Sequence, residues 1–328
     1  MNILLIGDPH FKINNTLESE RFIKETLDYV NKEKDNIGFI VVLGDVLHTH
    51  EKVHLQPLCR AVNFIKALAQ IKYTFVLVGN HDRINNKVFL TEEHALLGLK
   101  NQQNIQIVDK VKKARNFLFV PYVEPGRFQE ALDTIDYDIK EIKAIFAHQE
   151  FYGAKMKSIT SEIGDRWPEE NPPVFSGHIH CYQQVQDNII YIGTPYQIHF
   201  GESEDKALAL LKLNKNSFSL ERIHLNFIKK KTLILKADDL KSLQLEEGHN
   251  YRLIIEDDIN YIKNILKIQE VKEKIKNCQL NFKLSETKVE RKDHFECAFG
   301  KILDNKLDSL NQKEKDFYSI ISSPNSLN

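Results

Sequence analysis

The sequence predicts an α/β fold of alternating strands and helices, followed by a smaller α+β region. Over the first 150 residues, short apolar runs of strand length alternate with segments whose apolar residues recur every three or four positions. Near Lys229–Lys231 a different order begins, with two strands, a helix and a third strand. Such alternation is typical of helices packed on a sheet. We therefore expect a layered α/β body and a separate small domain.

Apolar patterning places the individual elements. The predicted strands of the first part are Asn2–Ile6, Phe39–Leu43, Tyr73–Val78, Ile105–Val108, Phe117–Val120 and Ile142–Phe146. The predicted helices run from a capping box at Asn15 and Glu18 to about Lys34, from Pro57 to Ala69, over Thr91–Leu99 and over Arg127–Ile135. Strands then dominate from residue 174, as VFSG, IIYIG, ALALLKL and FSLERIHL. The small domain is predicted from TLIL, YRLIIE, a helix at 260–276 and QLNFKL.

Composition describes an ordinary globular chain and gives little information on its substrate. The 328 residues are 42% hydrophobic and 28% charged, with a net charge of −1, so no global charge indicates a nucleic-acid partner. The longest apolar runs are strand-sized, and the first residues lack the features of a signal peptide, so we expect no membrane association. Four scattered cysteines predict free thiols in a reducing, cytoplasmic setting.

Residues that can bind metal ions follow five of the predicted strands. They are Asp8 and His10, then Asp45, then Asn80, then His148, and last His178 with His180. One such motif alone is more often an ordinary turn. Five in chain order are harder to explain in that way, because polar groups grouped at strand ends cost free energy unless something pairs with them. The ends of strands are also where α/β proteins bind their ligands.

The types of residue indicate which metals would bind. Carboxylates, imidazoles and one amide without any thiolate suit hard or borderline divalent ions. Seven candidate ligands are too many for one tetrahedral ion, so we predict two ions, Mn²⁺ in the first place, with Mg²⁺, Fe²⁺ or Zn²⁺ as alternatives. Asp45 is the natural bridge between them. Two dications against two carboxylates leave a positive site suited to a phosphate.

The motifs D-x-H, G-D, G-N-H-D, H and G-H-x-H resemble those of the calcineurin-like metallophosphoesterase superfamily, over residues 1 to about 200. Within it, the segments GDVLH, AHQE, GAKMKS and YIGTPYQIHFGE are similar to SbcD-type double-strand-break repair nucleases, and most of all to the phage recombination nuclease subunit. Protein phosphatases of the superfamily carry G-N-H-E and D-x-H-G, where this chain has Asp82 and Phe11.

The resemblance implies an architecture and a set of roles. It implies a four-layer α-β-β-α nuclease sandwich at 1–228, a small α+β capping domain that binds DNA at 229–286, and a linker with partner-binding helices at 287–328. The implied ligands of one metal are Asp8, His10, Asp45 and His180, and those of the other are Asp45, Asn80, His148 and His178. The implied catalytic residues are His81, which contacts the phosphate or protonates the leaving oxygen, His48, which positions DNA, and Asp82, which orients His81.

Two further histidines are candidates for substrate contact. His50 lies on a loop that enters a helix, where an ordinary surface role is the alternative, and His199 follows GTPYQI near the predicted site. The implied function is a two-metal DNA nuclease with 3′–5′ duplex exonuclease and single-strand endonuclease activity. A small-molecule phosphodiesterase or phosphatase and a non-catalytic scaffold are the alternatives.

The resemblance also implies partners. These are DNA ends, hairpins and single strands, an SbcC-type ATPase and a second copy of the chain, in the cytoplasm of a host cell if the gene is viral. Residues 287–295 are polar enough to form a linker, and apolar residues recur at helical spacing from Phe299 to Leu310 and from Phe317 to Ile321. Such stripes beyond a linker predict helices that bind the ATPase, although helices that fold back on the nuclease body are the alternative.

Overall fold

The computed structural model describes residues 1–156, 158–214 and 217–284. The strands are β1 (Asn2–Ile6), β2 (Phe39–Val42), β3 (Thr74–Leu77), β4 (Ile105–Val108), β5 (Lys112–Ala114), β6 (Phe117–Val120), β7 (Ala144–Ala147), β8 (Lys155–Met156), β9 (Ile159–Thr160), β10 (Val174–Ser176), β11 (Gln183–Gln186), β12 (Ile189–Tyr191), β13 (Leu208–Leu213), β14 (Phe218–Ile223), β15 (Lys230–Leu235), β16 (Asn250–Asp257) and β17 (Gln279–Leu284). The helices are α1 (Thr16–Lys32), α2 (Leu55–Ile71), α3 (Phe128–Leu132), α4 (Asp239–Ser242), α5 (Ile259–Ile265) and α6 (Gln269–Ile275), with 3₁₀ turns at Ile13–Asn15, Leu97–Leu99 and Ile139–Glu141.

Two six-stranded sheets form the larger part of the structure. The first has the order β14-β13-β1-β2-β3-β4 and the second the order β11-β12-β10-β7-β6-β5. Strands β1 to β4 are parallel, as are β6, β7, β10 and β12 in the second sheet. The outer strands β13, β14, β5 and β11 pair antiparallel. The predicted mixed α/β fold is therefore confirmed.

The two sheets pack face to face because their strands are apolar on both sides. Ile3 and Val41 of the first sheet share one buried cluster with Phe119, Phe146 and Phe175 of the second. The opposite face of the first sheet is covered by α1 and α2, whose Phe22 and Phe64 are fully buried against it. The outer face of the second sheet carries a third apolar cluster that includes residues of α3. Burial on both faces fits the near-continuous apolar runs of the parallel strands.

The predicted helix at Thr91–Leu99 is wrong, because the structure has only the 3₁₀ turn Leu97–Leu99 there. His94 forms an isolated β-bridge with Arg83, and its Nε2 lies 3.1 Å from a carboxylate oxygen of Asp109. The backbone N–H of Leu96 donates to Nδ1 of the same imidazole at 3.2 Å. These tertiary contacts hold the segment in turns, so they outweigh its helical periodicity.

Two more local predictions need correction. The capping box at Asn15 does not form, since the buried Asn15 amide nitrogen instead donates to the His10 carbonyl oxygen at 3.1 Å and to the Tyr196 hydroxyl at 2.9 Å. The single helix predicted at 260–276 is two helices, because α5 ends at Ile265 and Ile268 has extended backbone before α6 begins. The first correction matters for the site, because Asn15 holds the backbone of a predicted ligand.

The chain divides into two compact units. Among the described residues, the larger comprises 1–233, 244–253 and 277–279, and the smaller comprises 234–243, 254–276 and 280–284. In the smaller unit, Leu240, Ile262, Ile265, Val271 and Ile275 are buried apolar residues. Strands β15, β16 and β17 form a three-stranded sheet. The predicted boundaries at 228/229 and 286/287, and the capping role, stay predictions.

The linker and the partner-binding helices predicted at 287–328 lie outside the described residues, as does Cys297. Within the described part of the chain, Cys59, Cys181 and Cys278 are free thiols, as predicted. No helix in that same part has both the length and the hydropathy needed to cross a membrane. The cytoplasmic location stays a prediction.

Candidate metal centre

All seven predicted metal ligands meet at one place, where the strands that precede them end. Asp8 and His10 follow β1, Asp45 follows β2, Asn80 follows β3, His148 follows β7, and His178 with His180 follows β10. The ligand atoms of Asp8, His10 and His180 all lie within 4.8 Å of one another, and so do those of Asp45, His148 and His178. Both sheets therefore contribute ligands to a single cluster.

The first group is centred on the facing rings of His10 and His180, whose Nε2 atoms lie 3.0 Å apart. Nε2 of His10 is also 3.6 Å from Oδ2 of Asp45. Nδ1 of His10 faces away from the group, toward the Leu47 carbonyl oxygen at 3.2 Å. A carbonyl only accepts, so Nδ1 donates, and the lone pair of Nε2 is left for a metal.

The second group is centred on the amide oxygen of Asn80. This oxygen lies 3.0 Å from Nε2 of His148 and 2.9 Å from Nδ1 of His178. Asp45 Oδ1 is 3.3 Å from the same His148 nitrogen. Nδ1 of His148 faces the Leu43 carbonyl oxygen at 2.6 Å, so this ring too presents Nε2 to the centre. Asp45 contacts both groups, which is the geometry expected of a bridging ligand, and its bridging role stays a prediction.

Three of the ligands have backbone in the left-handed region, with φ of +45° at His10, +45° at Asp45 and +77° at His178. Residues other than glycine rarely adopt this conformation, and it costs on the order of 1 kcal/mol or more at each position. Such strain persists where the surrounding structure imposes it and is common at functional sites. Asn15 is one restraint, because it binds the carbonyl oxygen of His10.

Two glycines next to ligands let these loops approach closely. A Cβ on Gly79 would lie 2.2 Å from the backbone nitrogen of Asp45 and 2.3 Å from its Oδ1. A Cβ on Gly177 would lie 2.4 Å from Oδ1 of Asp8. Neither position has room for a side chain, so the glycine of G-N-H-D and that of G-H-x-H serve packing between loops.

One buried atom of the cluster supports the presence of metal. Oδ1 of Asp8 accepts the backbone N–H of His178 at 3.1 Å. Oδ2 of the same fully buried carboxylate has no hydrogen-bond partner among the described residues. A buried carboxylate oxygen without a partner costs free energy, and a divalent cation would remove that cost. The donors present, carboxylate, imidazole and amide oxygen, fit such ions.

Comparisons with known proteins agree with this geometry. The profile of the family described as "Calcineurin-like phosphoesterase" matches residues 1–182, which is more than half of the chain. The chain belongs to this family. Members use a dinuclear metal centre, and the two groups of ligand atoms described above can hold two ions. The coarser prediction, a metal-dependent hydrolase of phosphate esters, is confirmed, whereas the identity of the metal and the role of each ligand stay predictions.

Two curated relatives are viral. "Putative phosphoesterase 244L" of Invertebrate iridescent virus 6 is 44% identical over 262 residues, which cover 77% of this chain and 92% of the relative. "Putative phosphoesterase 078R" of Invertebrate iridescent virus 3 is 41% identical over 245 residues, which cover 73% of this chain and 70% of the relative. A solved hypothetical protein from Thermus thermophilus aligns with 67% of this chain and 98% of its own, at a TM-score of 0.36 and 13% identity, and adds nothing on function.

The protonation of this phosphoesterase centre follows from burial and its carboxylates. Burial lowers the pKa of His10 well below its usual range, and neighbouring imidazoles lower it further. Burial would raise the pKa of Asp45, but the charge of His148 and its hydrogen bond outweigh this and hold that pKa well below its usual value. Burial likewise opposes charge on His148, but Asp45 and Asp8 prevail and raise its pKa to about 9. Without metal, His148 therefore carries a proton at neutral pH.

The three predicted catalytic or substrate histidines near the ligands lie together. The backbone N–H of His81 donates to Oδ1 of Asp45 at 2.8 Å, and its Nδ1 lies 2.6 Å from the carbonyl oxygen of His48. The His48 ring is stacked 5.7 Å from that of His81, with its Nδ1 3.3 Å from Nδ1 of His10. The exposed His50 has its ring centroid 4.1 Å from that of His81.

The prediction that Asp82 orients His81 needs correction. The Asp82 carboxylate is buried and accepts three backbone N–H groups, from Leu47 at 2.9 Å, Gly79 at 3.0 Å and Val46 at 3.2 Å. The group that faces Nδ1 of His81 is the His48 carbonyl oxygen. Asp82 thus joins two ligand-bearing loops, and residue type alone could not distinguish this role from the predicted one.

Two glutamates behind the ligands were not singled out from the sequence. Oε2 of Glu150 lies 3.8 Å from Nε2 of His178, and Oε1 of Glu202 lies 3.0 Å from Nδ1 of His180. His199, predicted to contact substrate, has its Nε2 3.3 Å from the same Glu202 oxygen. The segments AHQE and HFGE contain both glutamates, each a few residues from a histidine, but their contacts with metal-ligand rings appear only in three dimensions.

Proposed function

We propose that this phosphoesterase is a two-metal DNA nuclease, the nuclease subunit of a double-strand-break repair or recombination complex. It would cut duplex ends as a 3′–5′ exonuclease, and single strands or hairpins as an endonuclease. The observation that carries this proposal is the position of His48 within the centre. The segment GDVLH, in which a histidine follows the bridging Asp45 by three residues, is the feature that resembles SbcD-type nucleases.

The chemistry of His48 suits contact with a phosphodiester. Burial, followed by the charge of Lys12, lowers the pKa of His48 to about 4, so the ring is neutral at neutral pH. A neutral imidazole offers one donor and one acceptor and can fix the backbone of a strand without trapping it as an ion pair would. Its half-buried ring lies beside His10 and His81, next to the ligand cluster.

The roles proposed for the other residues follow from their contacts. Two divalent ions held by the seven ligands would supply Lewis-acid activation of the phosphoester. Nδ1 of His81 donates to the His48 carbonyl oxygen, so Nε2 is the nitrogen left for the substrate; in the protonated ring its N–H would donate to a phosphate oxygen or give its proton to the leaving group. His50 is exposed and His199 is half-buried. Both are proposed to contact the rest of the substrate.

The first experiment compares substrates with Mn²⁺ present. A 3′-labelled linear duplex, a DNA hairpin and bis(4-nitrophenyl) phosphate should all be hydrolysed, the DNA with much the higher catalytic efficiency. His48→Ala should reduce duplex exonuclease activity at least about tenfold while the small diester is still hydrolysed. His54→Ala is the matched control, since His54 is an exposed histidine of the same loop.

Two results would overturn the proposal. Turnover of the small diester without cleavage of any DNA would favour a small-molecule phosphodiesterase. Two bound ions without hydrolysis of either substrate would favour a scaffold.

The partners belong to the same proposal. An SbcC-type ATPase is proposed to bind residues 290–328, and a second copy of the chain to form a homodimer. Both relatives are encoded by invertebrate viruses, which supports action within an infected host cell. Deletion of residues 290–328 should keep Mn²⁺-dependent cleavage but abolish co-purification with the ATPase. Full-strength ATPase binding by the truncated chain would place the partner surface elsewhere.

A further inference from the structure

Glu202 is a buried carboxylate whose two oxygens are both fully engaged. Its side chain is 4% exposed. Oε1 accepts from Nδ1 of His180 at 3.0 Å and lies 3.3 Å from Nε2 of His199. Oε2 accepts the backbone N–H of Ile198 at 2.9 Å and lies 3.1 Å from Nζ of Lys206. Ile198 and Lys206 therefore hold the carboxylate in the position from which Oε1 contacts His180.

This contact determines which nitrogen of His180 faces the metal ligands. The carboxylate has only acceptors for Nδ1, so Nδ1 carries the hydrogen and the lone pair of a neutral ring is on Nε2. Nε2 is the atom that lies 3.0 Å from Nε2 of His10. For His10 and His148 the same task is done by the backbone carbonyl oxygens of Leu47 and Leu43. Of these three rings, His180 is the one whose Nδ1 is held by a side chain and not by a backbone carbonyl oxygen.

We propose that Glu202 is the positioning residue for His180, fixing the ring and its tautomer so that Nε2 points at the ion that Asp8 and His10 would also bind. Carboxylates behind a ligand histidine commonly act in this way, and their loss lowers metal affinity about 10- to 100-fold. The inference rests on the metal centre alone and not on the DNA substrate. Failure of DNA cleavage would therefore leave it standing.

His178, the other histidine of G-H-x-H, also has a glutamate nearby, but at a longer distance. Glu150 lies 3.8 Å from Nε2 of His178, and its other oxygen accepts the Ser161 hydroxyl at 2.5 Å. The proposal therefore assigns the strong positioning effect to the ion beside Asp8 and His10, and not to both ions equally.

The test is a titration of the metal-free protein with Mn²⁺. Calorimetry and the electron paramagnetic resonance signal of the free ion measure the binding. Glu202→Gln keeps the shape of the side chain but places an NH₂ against donors, either at His180 or at Ile198 and Lys206. One of the two ions should bind about 10- to 100-fold more weakly and the other unchanged. Glu204→Gln, two residues away and exposed, should bind both as the wild type does.

Three results of the titration would overturn the inference. The inference is refuted if Glu202→Gln binds both ions as tightly as Glu204→Gln does. It is also refuted if Glu202→Gln binds both ions more weakly to the same extent, since neither result requires action through His180. In a His180→Asn background, Glu202→Gln should have little further effect on the affinity of the weakened ion. An additional loss of the same size there would also refute it.

A measurement on the unmodified chain decides the question if Glu202→Gln folds poorly. Histidine-selective ¹⁵N spectra of the metal-free wild type report the tautomer of each neutral ring, and the His180 signals are those missing from His180→Asn. We expect the hydrogen of neutral His180 on Nδ1. A hydrogen on Nε2 would overturn the inference without any variant of Glu202.

Discussion

Asp82 accepts the backbone N–H of Leu47 at 2.9 Å, and this contact links the loop after β3 to the loop after β2. The same carboxylate accepts the N–H groups of Gly79 and Val46. Asp82→Asn leaves one acceptor oxygen and turns an NH₂ toward a backbone donor. We expect a loss of about 3 kcal/mol in the free energy of unfolding, measured with urea on the metal-free protein.

Asp136→Asn serves as its control, because Asp136 is exposed and the change should cost less than about 0.5 kcal/mol. If Asp82→Asn kept full stability and lost only turnover, Asp82 would be acting on His81 after all.

Asp8→Asn separates metal binding from folding. The wild type should hold about two ions per chain by elemental analysis, and the variant fewer, with hydrolysis largely lost. Its metal-free form should be no less stable than the metal-free wild type, because the substitution removes a buried charge with one unpartnered oxygen. A fully active variant with two ions would contradict the assignment of Asp8.

Metal affinity should rise with pH as His148 loses its proton. Its pKa of about 9 in the metal-free protein means that an ion must displace a proton at pH 7. Affinity should therefore increase by up to about tenfold per unit between pH 7 and pH 9 and then level off. Calorimetry in buffers of different ionisation enthalpy would measure the released proton, and no proton release at pH 7 would refute the prediction.

The same group gives the metal-free protein a pH-dependent stability. The folded pKa of His148 is raised above its usual value of 6.5, so its contribution is fully present below pH 6.5 and is lost as the pH rises through about 9. Urea midpoints of the metal-free protein should fall across this window. His148→Gln should remove most of that slope.

His81→Gln should leave both ions bound while lowering turnover about a hundredfold or more. The side chain of His81 contacts the His48 carbonyl and is not needed to complete either ligand group, while its backbone N–H to Asp45 survives the change. Metal content and turnover measured on one preparation test this. Loss of an ion would make His81 a ligand.

Gly79→Ala should disrupt the centre through crowding alone. The added methyl would lie 2.2 Å from the Asp45 backbone nitrogen, so we expect about 3 kcal/mol of destabilisation together with weaker metal binding. Gly98→Ala is the matched control, because a Cβ there meets nothing within 4 Å. Equal effects of the two substitutions would rule out the close approach as the cause.

The meeting of the seven candidate ligands could be predicted from sequence because one rule connects their positions to the fold. The carboxyl ends of neighbouring parallel strands meet at one edge, so polar residues after successive strands converge even when they are far apart in the chain. Asp8 and His178, separated by 170 residues, are joined by a hydrogen bond. The alternation of apolar and polar runs was enough to apply that rule.

The remaining features depend on side-chain direction and on tertiary contacts that periodicity does not contain. Asp82 directly follows His81, yet its carboxylate binds the loop after β2. Glu202 contacts a histidine that is 22 residues earlier in the chain. The turns at 91–99 replace a helix because Asp109, on a different segment, binds His94.

The pairing of β1 with β13 has a consequence for biosynthesis. Asn2 pairs with Lys212, so β1 lacks its neighbour on that side until more than 200 further residues have been made. Asp8 and His10 likewise wait for His180. The complete set of candidate ligands is therefore available only after His180 has been made. Pairing over such distances is slow, and until β13 pairs with it, the open edge of β1 is prone to aggregation.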